Sequence, residues 1–257
     1  MPIPTGNLVS RIDLLNSSCY PGTGTTITDL VTPSAKWNIG GSFTYDGSVG
    51  AITWGASTEI ALDTQLAASG NIARTMAVWI KWPQDSPVVP GNSVQPILQI
   101  GGDNNWNGIA IVMTSNTEIG GRFPLIQTGD SYNSIVTAVA YSPAWTFVCF
   151  TIPAAQIVSN GGLYLNGTLV GTPLSYNNPG DGPIISYSSG QFGLYNHDMS
   201  PFGVQSSGTV SQHWIYDRAL SGSEVLDLYN STVDRYYPPP VYQGKVGGRQ
   251  FGQGFNG

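Results

Sequence analysis

Short apolar runs separated by Gly, Pro, Asn and Ser recur along the whole chain, and no stretch of helical period competes with them before residue 221. The runs are rich in Val, Ile, Thr, Phe, Trp and Tyr, the side chains that fit a pleated surface. They predict strands at 8–14, 41–45, 51–53, 75–82, 96–100, 109–114, 134–140, 145–152, 162–165, 168–170, 191–194 and 210–216. In Leu163-Tyr-Leu-Asn-Gly-Thr-Leu-Val170, Asn166-Gly167 sits between two β runs, and Asn-Gly takes the positive φ angles of a type I′ hairpin turn. The number and spacing of the strands predict an all-β, two-sheet antiparallel sandwich with 75–82 and 145–152 as central strands. At residue 221 the pattern changes. Ser221-Gly-Ser-Glu224 has the spacing of a capping box, and Val225, Leu228 and Tyr229 follow at the offsets of one buried helix stripe.

Six pieces in order carry a family resemblance: Tyr20-Pro-Gly-Thr-Gly-Thr-Thr with Asp29-Leu30, Phe43-Thr-Tyr-Asp-Gly47, Met76-Ala-Val-Trp-Ile-Lys81, Trp145-Thr-Phe-Val, Leu163-Tyr-Leu-Asn-Gly167, and Ile215-Tyr-Asp-Arg-Ala-Leu-Ser-Gly-Ser-Glu-Val225. Over residues 8–231 the chain resembles laminin-G-like domains of the concanavalin A-like jelly-roll superfamily. The resemblance implies a jelly-roll sandwich over 1–235, with a short helix after the last core strand packing across the sandwich edge. An extended C-terminal arm, 236–257, is expected to follow.

Composition narrows the function. Hydrophobic residues make up 40% of the 257, enough for a core, while charged residues are only 9%, far below the roughly 25% usual for soluble domains. The surface must be built from Ser, Thr, Asn, Gln, Gly and Tyr, a profile of proteins outside cells or inside large assemblies. The net charge of −6 speaks against the body binding nucleic-acid backbones. Met1-Pro-Ile-Pro-Thr-Gly6 lacks the basic and apolar regions of a signal peptide, and no apolar run approaches the roughly 20 residues of a membrane span. Synthesis in a cytoplasm is expected, and the Asn-Gly-Thr sequon at Asn166, like those at Asn16 and Asn230, is expected to stay unglycosylated. Two cysteines, Cys19 and Cys149, make neither a disulfide framework nor a zinc site. Cys149 alternates with Trp145 and Phe147 and is expected to be a buried small hydrophobe; a bridge between the two remains open.

Catalysis is not expected. Members of the resembled superfamily that hydrolyse glycans commonly carry Glu-x-Asp-x-Glu on one strand, because acid and nucleophile must flank one bond. That pattern is absent; the glutamates are Glu59, Glu118 and Glu224, and Glu59 with Asp63 does not match it. No Gly-x-Ser-x-Gly elbow stands near His197 or His213, and His213 reads as a strand residue. No cofactor is expected, although laminin-G-like domains often bind calcium through loop oxygens, for which Asp103 is the candidate ligand. Two loops have the chemistry of sugar binding, an aromatic face beside amides and carboxylates: Asp103, Asn104, Asn105 and Trp106 in one, Tyr195, Asn196 and His197 in the other.

After Tyr236-Tyr-Pro-Pro-Pro240 the chain has neither alternation nor helical period. Proline stiffens the start of this tail and glycine loosens its end. It carries Lys245 and Arg249 and no acid, so the preceding residues hold −8. Tyr242, Phe251 and Phe255, with these two cations between them, suit an arm whose aromatics enter pockets on a neighbour. Low surface charge, no export signal and this tail together predict a non-enzymatic virion structural protein, a capsid-associated or decoration subunit. Its partners would be other virion proteins or copies of itself. The resemblance agrees, since such domains occur in phage and large-virus structural proteins. The alternative is a carbohydrate-binding, lectin-like module for surface attachment.

Overall fold

The computed structural model describes residues 2–54, 59–62, 73–81, 95–101, 108–115, 118–124, 132–138, 144–152, 162–171, 192–194 and 208–238. In chain order the strands are β1 Leu8–Asp13, β2 Thr26–Thr28, β3 Lys36–Gly40, β4 Phe43–Asp46, β5 Ala51–Trp54, β6 Glu59–Leu62, β7 Arg74–Lys81 and β8 Gln95–Gly101. There follow β9 Gly108–Ser115, β10 Glu118–Pro124, β11 Tyr132–Ala138, β12 Thr146–Ile152, β13 Gly162–Leu165, β14 Thr168–Gly171, β15 Phe192–Leu194 and β16 Gly208–Tyr216. Helix α1, Gly222–Asn230, and a 3-10 turn, Val233–Arg235, end the described chain.

Among the described residues the strands form two antiparallel sheets. Sheet A runs β14-β13-β12-β7-β16-β5-β4, with β1 alongside β16; sheet B runs β11-β10-β9-β8-β15-β6-β3-β2. The expected all-β sandwich is therefore present, with 75–82 and 145–152 at the centre of sheet A as the neighbours β7 and β12. Four strands escaped the sequence pattern: β2, β3, β6 and β10. Each is either very short or interrupted by Lys, Asn, Glu or paired glycines, and pairing with neighbours supplies what propensity lacks.

The central strands of sheet A are apolar on both faces. Met76, Val78 and Ile80 of β7 and Val148, Phe150 and Ile152 of β12 enter the core between the sheets. The alternate residues Ala77, Trp79, Phe147 and Cys149 form a second apolar layer on the outer face. Antiparallel strands buried on both sides are unusual, because one face normally meets water. Here α1 and the 3-10 turn cover that face: Val225, Leu228 and Tyr236 pack on Trp79, Phe147 and Trp214. The helix thus crosses from β14, the edge strand of sheet A, and its buried side chains reach inward over the aromatic layer of β7, β12 and β16. Without those inward-reaching side chains two tryptophans and a phenylalanine would meet water.

Local chemistry builds this cover. Ser221 and Glu224 form the expected capping box, Val225 and Leu228 are buried and Tyr229 is half-buried. Thr232 closes the far end, receiving the Trp79 Nε1 hydrogen at 2.8 Å and donating its own to Leu228 O at 3.0 Å. The β13–β14 turn adopts the expected geometry, with φ of 50° at Asn166 and 77° at Gly167. α1 rests on it so closely that a Cβ on Gly167 would meet Leu226 Cδ1 at 2.9 Å. Cys19 belongs to the core between the sheets and Cys149 to the outer layer, so the sheet itself separates them and no bridge forms.

Truncating the cover should be costly only on its inner side. Leu228→Ala is expected to lower the unfolding free energy by about 2–5 kcal/mol, as large-to-small changes in packed cores do. Leu226→Ala, on the half-exposed side, is expected to change it by about 0.5 kcal/mol or less. Urea titration of both variants checks the pair.

Candidate functional site

None of the side chains assigned to sugar or calcium binding lies among the described residues: Asp103, Asn104, Asn105, Trp106, Tyr195, Asn196 and His197 fall outside them, as do Tyr242, Lys245, Arg249, Phe251 and Phe255 of the arm. The strands leading into the two loops are described. β8 and β9 pair at Gly101↔Gly108, so residues 102–107 connect a hairpin at one end of sheet B. β15 pairs with β8 at Phe192↔Ile100 and Gly193↔Gln99, so its C-terminal end points the opposite way. The chain enters its two aromatic-amide loops from opposite directions.

Inside the sandwich stands a cluster that sequence spacing could not reveal: Ser10 of β1, Asp29 after β2, Trp37 of β3 and His213 of β16, all buried. Its parts are those of a hydrolytic triad, but their order is different. Ser10 Oγ gives its proton to Asp29 Oδ2. Asp29 also accepts from the amides of Val31 at 2.8 Å and Thr32 at 3.0 Å, from the Arg11 amide at 3.4 Å and from Trp37 Nε1 at 3.4 Å. His213 Nε2 lies 3.3 Å from Ser10 Oγ, whose proton is already committed, so the imidazole must be the donor. Nδ1 then faces the interior with no partner. A nucleophile needs its base to accept its proton and a substrate to reach it. The cluster offers neither. It pins β1 and the 29–32 turn to β16.

A second buried network fastens the C-terminus. Asp13 of β1 receives Arg235 Nη1 at 2.7 Å and Nη2 at 3.1 Å, Gln212 Nε2 at 2.9 Å and Arg11 Nη2 at 3.3 Å. Burial alone would raise its pKa, but the Arg235 guanidinium, with Gln212 and Arg11, holds the carboxyl below the usual range. Tyr236 stacks on Trp79 at 4.2 Å, touches Trp145 at 4.8 Å and donates its hydroxyl to Gln212 Oε1 at 3.1 Å. Tyr237 donates to Trp145 O. The first two residues of the 236–257 segment are thereby fixed at one point on the outer face of sheet A.

Glu224 is fully engaged. It takes both ends of the Arg218 guanidinium, at 2.7 and 2.9 Å, and the Ser221 amide at 2.9 Å. Hydrogen bonding to Arg218 and then to Ser221 pushes its pKa down to about 2, so at neutral pH it has no proton to donate as an acid. Among the described residues no group of three His, Cys, Asp or Glu side chains is placed to hold a metal. No helix among them is long and apolar enough to cross a membrane.

Two stacked antiparallel sheets joined in this order define a jelly roll. A laminin-G-like profile, described as the concanavalin A-like lectin/glucanases superfamily, matches residues 54–226, and the chain belongs to that family. Residues 8–53, which the resemblance also covered, lie before the match and supply β1 to β4. Solved structures give the same fold. The binding domain of botulinum neurotoxin DC in complex with SialylT superposes with a TM-score of 0.63 at 16% identity, over 88% of this chain and 52% of that one. The ligand-binding domain of botulinum neurotoxin serotype D in complex with N-acetylneuraminic acid gives 0.62 at 12%, over 88% and 51%. A botulinum neurotoxin type C structure, concerned with cell entry dependent upon interaction with two ganglioside molecules, gives 0.62 at 16%, over 88% and 51%. This chain spans about half the length of these proteins, and at such identities the likeness is one of fold alone. Among curated proteins none matches.

The interior histidine has a pH signature. Burial pushes the His213 pKa down to about 4 from an ordinary 6.5, with the Asp29 charge opposing. The unfolded chain therefore takes up a proton first. Stability is full above about pH 6.5 and should fall by about 3 kcal/mol as pH drops towards 4. Asp13 and Glu224 act only lower, within and below the carboxylate range. Urea unfolding at several pH values from 7 to 4.5 should show this slope in the native chain and lose it in His213→Gln.

Proposed function

We propose that this protein is a non-enzymatic virion structural subunit, capsid-associated or decorating, whose laminin-G-like body presents the arm 236–257 to other virion proteins or to copies of itself. The observation that carries the reading is the anchorage of Tyr236 and Tyr237. An arm used for assembly must leave its body at a defined point, since an effective local concentration depends on the distance between tether and target. Asp13–Arg235, the Trp79–Tyr236 stack and the Tyr237 hydroxyl supply that definition. A body charge of −8 against +2 on the tail, with 9% charged residues overall, also favours contact surfaces over a freely solvated enzyme exterior. Removal of residues 241–257 should abolish incorporation into particles while the far-ultraviolet spectrum and melting transition stay those of the full chain. Full incorporation of the truncated chain, measured by mass spectrometry of purified particles, rejects the arm.

A second reading draws on family membership and on the sugar complexes of the similar binding domains: a glycan-binding module for attachment. Trp106, in the loop between β8 and β9, would provide the stacking face, with Asp103, Asn104 and Asn105 as hydrogen-bonding partners and, if calcium binds, Asp103 as a ligand. Tyr195, Asn196 and His197 would form a separate subsite. On a glycan array this reading expects a defined sugar class to bind the native chain and the signal to vanish in Trp106→Ala. Silence of the native chain across the array leaves the assembly role.

A further inference from the structure

Around the fixed root of the arm the outer surface is apolar in a way the fold does not require. Leu226 on α1 is 44% exposed, Leu169 on β14 is 51% exposed, and Tyr237 is 44% exposed. Leu169 lies on the β13–β14 hairpin and Leu226 on the helix that rests on that hairpin, while Tyr237 stands beside Trp145, which borders the same outer apolar layer. Leu169 stands opposite Tyr164 across the hairpin, and the Tyr164 hydroxyl comes within 3.6 Å of a Cβ position at Gly222, at the start of α1. Leu226 and Tyr229 both overlie the Gly167 turn, and Tyr237 reaches from the end of the 3-10 turn to Trp145. Single exposed leucines are ordinary, but a run of them beside half-buried tyrosines marks a contact surface.

We infer that this surface is the seat of the C-terminal arm of a second copy of the chain. The inference rests on the reading that the arm makes assembly contacts, and names the surface that receives it. The described chain stops at Pro238, next to Tyr237, with 19 residues still to come. Those residues carry Tyr242, Phe251 and Phe255 as apolar anchors and Lys245 and Arg249 without any acid. On the receiving side Asp227 follows Leu226 and Asp234 lies in the 3-10 turn, and neither forms an ion pair among the described residues. Apolar surface meets apolar side chains, and an acidic rim meets a basic segment, the complementarity that steers partners together. The arm of the same copy is disfavoured because Pro238-Pro239-Pro240 begins beside this surface. Each proline restricts φ to about −65°, and such a run favours extended backbone of about 3.1 Å per residue over an immediate reversal. The remaining residues, at up to about 3.3 Å each, are long enough to reach a neighbour.

Sedimentation equilibrium of the full chain tests this. The native protein should associate reversibly. Leu226→Asp, Leu169→Ser, and the double variant Phe251→Ser/Phe255→Ser should each weaken association by about tenfold or more, the scale of an anchoring residue. Both leucines are substantially exposed, so melting curves near the native one should accompany the loss. Mixing Leu226→Asp, which keeps its arm, with the phenylalanine double variant, which keeps its receiving surface, should restore association between unlike copies. A native chain that stays monomeric, association that survives both leucine variants, or a mixture that fails to associate would overturn the inference. If arm removal blocks particle incorporation but Leu226→Asp and Leu169→Ser incorporate normally, the seat is wrong while the assembly role of the arm stands.

Discussion

The central strands of sheet A, β12, β7 and β16, are wet on neither face, and most of the molecule follows from that constraint. Trp79, Phe147 and Trp214 point away from the core between the sheets and would expose large apolar area if nothing lay over them. A chain otherwise made of strands therefore keeps one helix. Its capping box, the Thr232 closure and the Gly167 turn beneath it are the local devices that hold nine helical residues in place against the β13–β14 hairpin, with the buried stripe on the aromatic layer. The same cover fixes the C-terminus, because Tyr236 completes the aromatic layer and Arg235 reaches through to Asp13 of the first strand. First and last elements are thus tied to β16 and to each other, and the arm starts from rigid ground.

Polar groups inside the sandwich obey a separate rule, that burial requires partners. Asp29 meets it with backbone amides, Ser10 and Trp37, and so a carboxylate, a hydroxyl and an imidazole come together without becoming reactive. The proton of Ser10 is spent on Asp29, and His213 is left as a donor. Residue types that would suggest catalysis in a cleft act here as a staple between β1 and β16. The orphaned Nδ1 is the imperfect part of this arrangement, and it is where acid acts first.

A bulge explains how β16 serves both layers. Its register against β7 shifts between Val210 and Gln212, and the Ser211 hydroxyl donates to Gly50 O at 2.7 Å. Val210 and Ile215, an odd number of positions apart, consequently share the core between the sheets, while Trp214 and Tyr216 turn outward under the helix. Strict alternation would place Val210 with Trp214. No property of Val-Ser-Gln-His-Trp-Ile-Tyr by itself announces the extra residue, whose hydroxyl finds its partner in Gly50, remote in sequence.

Much of the fold was legible in the chain because it is encoded locally. Alternation and turn residues located most strands, Asn166-Gly167 specified its turn through positive φ, and Ser221 with Glu224 specified the helix start, each acting over a few residues. The candidate sugar loops and the arm were legible only as chemistry, through Trp106 among amides and Phe251 and Phe255 among glycines. Four weak strands, the reach of α1 side chains over the aromatic layer, the separation of Cys19 from Cys149 and the Ser10–Asp29–His213 staple were not legible. They join residues up to about two hundred positions apart, and such contacts are set by which faces pack together once the sheets have formed. Sequence determined the periods and the caps. Tertiary packing decided which face each side chain serves, because burial energy belongs to pairs of surfaces and not to single residues.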